Sequence, residues 1–283
     1  MVRQDLYRHC TSVMESADIP DSDFDTLCIF QDVLKDKMPL LLPYMNVEAE
    51  KEAIILEMVE RRISGMPLQY ILGEWEFWGL PIKVGEGVLI PRPDTETLIE
   101  DILEIVRKTG MKSPKIADLC SGSGCIALAL KSEIPSAEVY AVELSEKALV
   151  YLKQNVELNK SDINIIKGDV LSPKTSEMLT ELDIIASNPP YLTAQDMAEL
   201  QIEVQKEPET ALFGGNDGLD FYRAMTPLWR KSLKIGGYLC YEFGMGQEKD
   251  IEKIMRENRF TDIKFSRDGG GIIRTVTARK TEV

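Results

Sequence analysis

The sequence predicts an α/β fold: an open, mostly parallel sheet with an antiparallel last strand, preceded by a small helical domain and a linking β-hairpin. Three observations predict it. From Lys115 onward, short apolar runs alternate with stretches of helical period, so successive strands need helical crossovers and should lie parallel. The last two apolar runs are joined through Gly269-Gly270-Gly271, with no room for a helix, so that pair should be antiparallel. The first 70 or so residues carry apolar side chains three and four apart, as helices do.

Taken in order, Leu27, Phe30 and Leu34, and then Ile54, Ile55, Met58, Val59 and Ile63, keep a helical period on either side of a break from Pro39 to Pro43. Ser64-Gly65 followed by Pro67 is a helix stop, and a helical domain over 1–73 is expected. Residues 74–91 change character. Trp75, Phe77, Trp78, Leu80, Ile82, Val84, Val88, Leu89 and Ile90, punctuated by Gly79, Pro81, Gly85 and Gly87, read as a β-hairpin linker. Pro91-Arg92-Pro93-Asp94 ends it, with Asp94 the expected N-cap of a helix carrying Leu98, Ile102 and Val106. In the domain over 92–283, strands are expected at 115–120, 137–143, 162–167, 182–187, 236–243, 262–266 and 272–279. Helices are expected at 124–132, 145–159, 195–206, 219–233 and 247–258.

Composition narrows the function. At 283 residues, with 44% hydrophobic and 28% charged residues, the chain suits two unequal soluble domains. No apolar run approaches the roughly 20 residues that span a bilayer, and Met1 to Cys10 has no signal-like apolar core. Five scattered cysteines without a CxxC pattern read as reduced thiols of a cytoplasmic protein. The net charge of −14 is shared, with 13 acids and 7 bases in residues 1–73 and 34 and 26 in the remainder. That balance disfavours nucleic-acid binding, which usually needs a broad basic footprint. His9 is the only histidine, so histidine catalysis and multi-histidine zinc sites are unavailable.

Four loops remain as candidates for chemistry. Asp118-Leu119-Cys120-Ser121-Gly122-Ser123-Gly124-Cys125 leaves a strand and opens a helix, where small residues let a ligand approach free backbone N–H groups. A tight turn without a ligand is the alternative. The pattern is neither the GxGxxG dinucleotide fingerprint nor a P-loop. Glu143 ends the next strand, 19 residues beyond Gly124, where an acid in a Rossmann-like sheet accepts bonds from ribose hydroxyls; a surface acid before the cap Ser145 reads equally well in isolation. Gly168-Asp169-Val170 follows the third strand, and its carboxylate suits an exocyclic adenine amine or an ordinary turn. Asn188-Pro189-Pro190-Tyr191 is the most specific. Its prolines lack N–H groups and stiffen the loop, leaving carbonyls free as acceptors, and Asn188 adds an acceptor and a donor. Such a loop can hold a planar NH₂ group by its protons and aim the nitrogen at an electrophile.

These residues carry a family resemblance. Pro67-Leu68-Gln69-Tyr70-Ile71-Leu72-Gly73, Glu76-Phe77-Trp78-Gly79, Leu89-Ile90-Pro91-Arg92-Pro93-Asp94-Thr95-Glu96, the 118–124 loop, Asn188 to Tyr191 and Gly214-Gly215-Asn216-Asp217-Gly218 occur in the order of the HemK/PrmC family of release factor glutamine methyltransferases. The likeness is close from about residue 67 onward; residues 1–66 match as a helical domain of the right size. It implies a Rossmann-like class I methyltransferase sheet and S-adenosylmethionine as donor, with S-adenosylhomocysteine as product. It also implies a protein substrate, the glutamine of the Gly-Gly-Gln motif in peptide chain release factors, whose methylation modulates translation termination. The cofactor is then expected against Cys120, Ser121, Gly122, Ser123, Gly124, Glu143, Val170 and Asn188, to which the loop readings add Asp118 and Asp169. The substrate amide is expected on Asn188, Pro189, Pro190 and Tyr191, with Asn188, Pro189 and Tyr191 as the catalytic set. The helical domain and hairpin are expected to help dock the release factor.

Two positions depart from the family pattern. Cys120 stands where glycine is common, which preserves close approach if its φ is negative. Val170 stands where an aromatic residue often covers the adenine. The expected reaction is direct in-line transfer without covalent intermediate or metal, the Asn188 side-chain oxygen and the Pro189 carbonyl accepting the two amide protons. The alternatives are an adenine-N6 or other exocyclic-amine methyltransferase acting on nucleic acid, using the same loop on a flipped base, and a non-catalytic cofactor-binding protein. Arg92 and Glu96 read either as site residues or as a solvated pair at a helix start, and Glu242 as either a ligand contact or a structural acid.

Overall fold

Apolar faces at helical spacing pack α1 (Arg3–Ser16), α2 (Ser22–Leu34) and α3 (Ala49–Ile63) together, followed by the short α4 (Leu68–Leu72) after Pro67. A computed structural model describes residues 1–282. It divides the chain into one unit of Met1–Glu74 with Gln201–Lys206, and a second of Trp75–Leu200 with the residues from Glu207 onward. In the first unit Leu6, Met14, Phe30, Ile55 and Val59 are buried, and Tyr7 meets Phe30 edge-on at 5.2 Å. Arg62 donates to Asp25 at 2.6 Å and to Glu203 at 3.0 Å, which ties the 201–206 segment to the helices. The apolar face is narrower than the sequence pattern suggests: Ile54 and Ile63 are exposed on the flanks of α3.

The second unit begins at Trp75, the second residue of β1 (Glu74–Phe77), which is followed by β2 (Leu80–Lys83); the two are joined through Trp78-Gly79, both with positive φ as in a tight primed hairpin turn. The expected hairpin reached residue 91, but residues 84–92 are irregular. Gly85 and Gly87 run too close to Tyr151 and Lys147 for side chains of their own, so this stretch follows a helix surface in place of a strand partner. One 3₁₀ turn, Pro93–Thr95, leads into α5 (Glu96–Thr109). Asp94 does not cap α5, because its carboxylate pairs with Arg274 at 3.3 Å.

Then follow β3 (Lys115–Leu119), α6 (Cys125–Glu133), β4 (Glu138–Glu143), α7 (Glu146–Leu158), β5 (Asn164–Lys167), α8 (Pro173–Ser176), β6 (Leu182–Ser187), α9 (Ala194–Ala198), α10 (Asp220–Arg230), β7 (Leu233–Glu242), α11 (Glu248–Glu257), β8 (Phe260–Arg267) and β9 (Ile273–Lys280). The sheet order is β5-β4-β3-β6-β7-β9-β8. Strands β5 to β7 pair in parallel, and β9 lies antiparallel between β7 and β8. This is the class I methyltransferase arrangement. Strand order reverses at β3, which has β4 on one side and β6 on the other, and such a switch point opens a crevice at the carboxyl ends of the strands. Beneath it lies a core of Leu119, Val142, Ile185, Leu239, Tyr241 and Phe243, covered by Tyr222, Met225 and Trp229.

Two further elements differ from expectation. The helix expected over 195–206 stops at Ala198, with only a 3₁₀ turn at Val204–Lys206; α9 buries none of its residues, so no packing sustains a longer helix. Strand β7 starts at Leu233, before the expected 236, because the chain bulges between Leu233 and Tyr238 and then rejoins β6.

Candidate active site

At the switch point lies a cavity of about 620 Å³, within the roughly 300–1,000 Å³ of small-molecule sites. Its walls bring together Cys120, Ser121, Gly122, Ser123, Glu143, Asp169, Val170, Asn188 and Pro190 from four separate loops. Asp118, Gly124, Pro189 and Tyr191 are not among the lining residues.

The loop from β3 to α6 owes its shape to internal bonds. The Ser121 hydroxyl donates to the Asp118 carbonyl at 2.7 Å and the Ser121 N–H to the Val142 carbonyl at 3.1 Å. Asp118 lies beneath the loop, 0% exposed; its Oδ2 accepts from the Ala127 N–H at 3.2 Å and its Oδ1 has no partner among the described residues. Burial pushes its carboxyl up to about 8, against the bonds from Ala127 and Ser121. Gly124 packs its backbone against Leu152. Asn155, which the sequence reading missed, donates to the Ser123 carbonyl at 2.9 Å and pairs both ways with the Lys83 backbone, so α7 holds this loop to the end of β2.

Glu143 ends β4 with its carboxylate already oriented. Oε2 accepts from the Gly122 N–H at 2.7 Å, and Oε1 from the N–H groups of Leu144 and Ser145 at 2.9 and 2.7 Å. Each oxygen has further acceptor capacity, and the side chain lines the cavity. Ser145 caps α7 by accepting from Ala148. The Asp169 Oδ1 accepts from the Leu171 N–H at 2.8 Å, turning the chain so that Val170 and Leu171 face the cavity with Leu144. Val170 has no ring, but Phe221 at the start of α10 lines the same cavity and packs on the core cluster that includes Val170.

The Asn188-Pro189-Pro190-Tyr191 loop is braced from behind. Leu192 bonds Leu212 and Gly214 backbones at 2.9 Å each, and Gln247 donates to the Tyr191 carbonyl at 3.0 Å. A Cβ on Gly214 would lie 2.5 Å from the Pro190 carbonyl oxygen, and one on Gly218 would lie 2.2 Å from that of Tyr191, so only glycine permits this backbone contact. Tyr191 packs half-buried against the core. The Asn188 Nδ2 donates to the Thr95 hydroxyl at 3.2 Å. Behind that pair lies Glu242, 1% exposed, its carboxyl pushed up to about 7 by burial.

Arg92 does not pair with Glu96. It forms an ion pair with Glu207, whose side chain is 1% exposed and also accepts from the Ile90 N–H at 2.9 Å, while Glu96 accepts from the Trp78 N–H at 3.2 Å. This buried contact fastens the Pro208–Ala211 wall of the cavity to the irregular 88–92 stretch. Glu207 carries no local signal in the sequence; Thr95 lies within the segment that carries the family resemblance.

Cys120 has φ +59°, in the left-handed region. The condition of a negative φ, under which cysteine would replace glycine without strain, is therefore not met, and the turn between β3 and α6 holds an L-residue in a left-handed conformation.

The residues present fit S-adenosylmethionine. A carboxylate held by three backbone donors suits the ribose hydroxyls, Leu144, Val170, Leu171 and Phe221 form an apolar wall for a flat ring, and the small residues 120–123 leave room beside the loop.

Comparison with known proteins agrees. Residues 94–211 match the Methyltransferase small domain model, and residues 5–73 match the PrmC N-terminal domain model. The release factor glutamine methyltransferase of Fusobacterium nucleatum is 38% identical over 98% of this chain and 78% of its own length. That of Clostridium botulinum is 33% identical over 99% of this chain and 100% of its own. The chain belongs to the release factor glutamine methyltransferase family. It is an S-adenosylmethionine-dependent methyltransferase. Solved structures share the fold at low identity: a methyltransferase from Pyrococcus furiosus superposes with a TM-score of 0.55 at 17% identity, over 83% of this chain and 100% of that one. The hMettl16 catalytic domain gives 0.56 at 17%, over 84% of each chain. At 17% identity the likeness to the hMettl16 catalytic domain is one of fold. Among the described residues no helix is long and apolar enough to cross a membrane.

Proposed function

We propose that this enzyme methylates the side-chain amide nitrogen of the glutamine in the Gly-Gly-Gln motif of peptide chain release factors, with Asn188, Pro189 and Tyr191 as its catalytic residues. The observation that carries the reading is Asn188: its NH₂ group is engaged by Thr95 while its side chain lines the cavity, so Oδ1 is left to accept from a substrate amide. S-adenosylmethionine, when bound, supplies an electrophilic sulfonium methyl group. The residues that would hold it are Cys120 to Ser123, Glu143, Asp169, Val170 and Phe221.

The chain's own work is position and electrostatics. Asn188 Oδ1 and the Pro189 carbonyl accept the two amide protons, favouring the positive charge that develops on nitrogen as the new N–C bond forms. Pro189 and Pro190 deny the loop the freedom to swing, and the Gly214–Gly218 loop backs it. An amide is a weak nucleophile, and fixed orientation can remove about 7–11 kcal/mol of its barrier. The Tyr191 ring, held against the core, keeps the end of the loop in register.

The helical unit and the β1–β2 hairpin dock the release factor, a role supported by the match of residues 5–73 to a domain found with this enzyme family and by the exposed apolar side chains of Met38, Leu41, Leu42 and Tyr44. The acidic surface supports a protein partner over direct nucleic-acid binding. Five free cysteines support work in the reducing cytoplasm, where translation termination takes place.

The test is mass spectrometry of a purified release factor after incubation with enzyme and donor. One added methyl group on the Gly-Gly-Gln glutamine is expected. Label appearing on RNA or DNA instead, or on no release factor residue, would sink the proposal. Asn188→Ala is expected to lower kcat about 10²–10³-fold, the usual effect of removing one oriented polar group from such a site, with donor affinity changed far less.

A further inference from the structure

Three side chains from three distant parts of the chain meet at the cavity wall, where Thr95 and Asn188 line the cavity and Glu242 lies behind them. Thr95 comes from the 3₁₀ turn before α5, Asn188 from the end of β6 and Glu242 from the end of β7. Thr95 and Glu242 are 2% and 1% exposed, so neither is present for solubility. The Asn188 Nδ2 donates to the Thr95 Oγ1 at 3.2 Å, and both side chains act on the Glu242 carboxyl, favouring its ionised form. The Glu242 Oε2 is buried without a hydrogen-bond partner among the described residues. A buried, under-satisfied carboxylate is expensive, and a fold that only needed to fill this position would do better with an apolar or amide side chain.

We infer that Glu242 and Thr95 are positioning residues for methyl transfer, fixing which edge of the Asn188 amide faces the substrate. The reason is chemical. An ionised carboxylate is an acceptor only, so the edge of Asn188 turned toward Glu242 is the NH₂ edge. Thr95 bridges the two, accepting from Asn188 and turning its own hydroxyl proton toward Glu242. With Nδ2 engaged by Thr95 on the side of Glu242, Oδ1 is the edge left for the cavity, as holding a substrate NH₂ group by its protons requires. Were Asn188 flipped, its NH₂ would meet the substrate NH₂, donor against donor. The backbone of this network is anchored as well, since the Tyr222 hydroxyl donates to the Glu242 carbonyl at 2.8 Å.

Ionisation of Glu242 is part of the device. Burial raises its pKa to about 7, Asp94 adds to the rise, and Thr95, Arg274 and Asn188 oppose it; Tyr191, Tyr222 and Cys125 also face it. Protonation supplies an O–H donor toward Asn188 and removes the bias. Activity should therefore fall as pH drops through about 7.

The inference rests on the proposed role of Asn188, and the test separates the two. Asn188→Ala, Glu242→Gln, the Asn188→Ala/Glu242→Gln double variant, Thr95→Val and Thr95→Ser are assayed with a purified release factor, while S-adenosylhomocysteine binding is read by calorimetry. Glu242→Gln keeps the shape but offers an NH₂ group that can flip Asn188. It should lower kcat at least tenfold while changing S-adenosylhomocysteine affinity less than threefold. Its kcat should also lose the fall on acidification that the wild type shows. Thr95→Val should lower kcat at least fivefold, and Thr95→Ser should restore most of that loss. The double variant should be no slower than Asn188→Ala alone, because both changes remove the same oriented oxygen. Wild-type kcat in Glu242→Gln, or losses that multiply in the double variant, would overturn the positioning role while leaving Asn188 in place. Wild-type kcat in Asn188→Ala would overturn the reading beneath it. If Glu242→Gln weakens S-adenosylhomocysteine binding as much as it slows turnover, its role is structural and the inference fails.

Discussion

At the scale of single residues, Cys120 shows how a backbone requirement outlasts a substitution. The turn from β3 into α6 holds this residue at φ +59°, a conformation that costs an L-residue about 1–2 kcal/mol. Glycine removes that strain but adds about 0.5–1 kcal/mol of chain entropy to the unfolded state. Cys120→Ala keeps the Cβ and the strain, so it is the proper reference. Cys120→Gly is expected to unfold at a midpoint about 1–4 °C above Cys120→Ala, given about 2–4 °C per kcal/mol in a protein of this size, as read by scanning calorimetry. Equal midpoints would mean that the surrounding loop, not the Cβ, sets the conformation. The residue-level reading of the sequence recovered this position as a departure from the family. It left the sign of φ open, because φ here is set by where α6 must begin relative to β3, a distance no local pattern contains.

At the scale of elements, the cavity depends on loops fastened to one another more than on the strands that carry them. Glu207 is the clearest case. Its buried carboxylate takes the Ile90 N–H and the Arg92 guanidinium, joining the Pro208–Ala211 wall to the stretch after the hairpin. Burial raises its pKa, with Arg92 and the Ile90 bond pulling the other way. Glu207→Ala leaves a buried N–H unsatisfied, at about 1–3 kcal/mol, and frees that wall. We expect S-adenosylhomocysteine affinity to fall about tenfold, equivalent to 1.4 kcal/mol, with a smaller loss in Glu207→Gln; titration calorimetry decides it. Unchanged affinity in Glu207→Ala would show that the Pro208–Ala211 wall keeps its place without this tie.

At the scale of the whole molecule, two buried carboxyls shape stability against pH. Asp118 and Glu242 have folded pKa values raised to about 8 and about 7, against ordinary values of 3.8 and 4.5. The folded protein therefore binds these protons more tightly than the unfolded chain does. Their stability penalty is absent below the ordinary carboxyl range, grows as pH rises, and is complete above about 8. Between pH 8 and pH 6 the midpoint should rise as pH falls, by about 2–4 °C for each kcal/mol recovered. Below that range, exposed carboxylates such as Glu104, held down to about 2 by Lys108 and Lys264, begin to oppose the trend. Lower net charge also favours the folded state on acidification, so the informative comparison is with Asp118→Asn and Glu242→Gln at fixed ionic strength. Each should show a flatter rise. A slope identical to wild type in both would mean that neither group titrates in this range.

The amino-acid sequence by itself determined the alternation of strands and helices, the antiparallel end of the sheet, and the loops at 118–124, Glu143, Asp169 and Asn188, because periodicity and turn chemistry are local and are written in neighbouring residues. Where it misjudged an extent, the cause was not local: the hairpin stretched to 91 loses its strand partner after Lys83 and follows α7 instead, and the helix drawn through 206 has no buried face to sustain it. Only the tertiary structure decided that Glu242 and Thr95 flank Asn188, that Arg92 pairs with Glu207 and not Glu96, that Asp94 joins Arg274, and that Phe221 lines a wall where Val170 offers no ring. Those partners lie between 51 and 180 residues apart or on separate loops. They meet because parallel strands deliver their carboxyl ends to one edge, and a register set by the whole sheet, not by any segment, chooses which side chains face each other there.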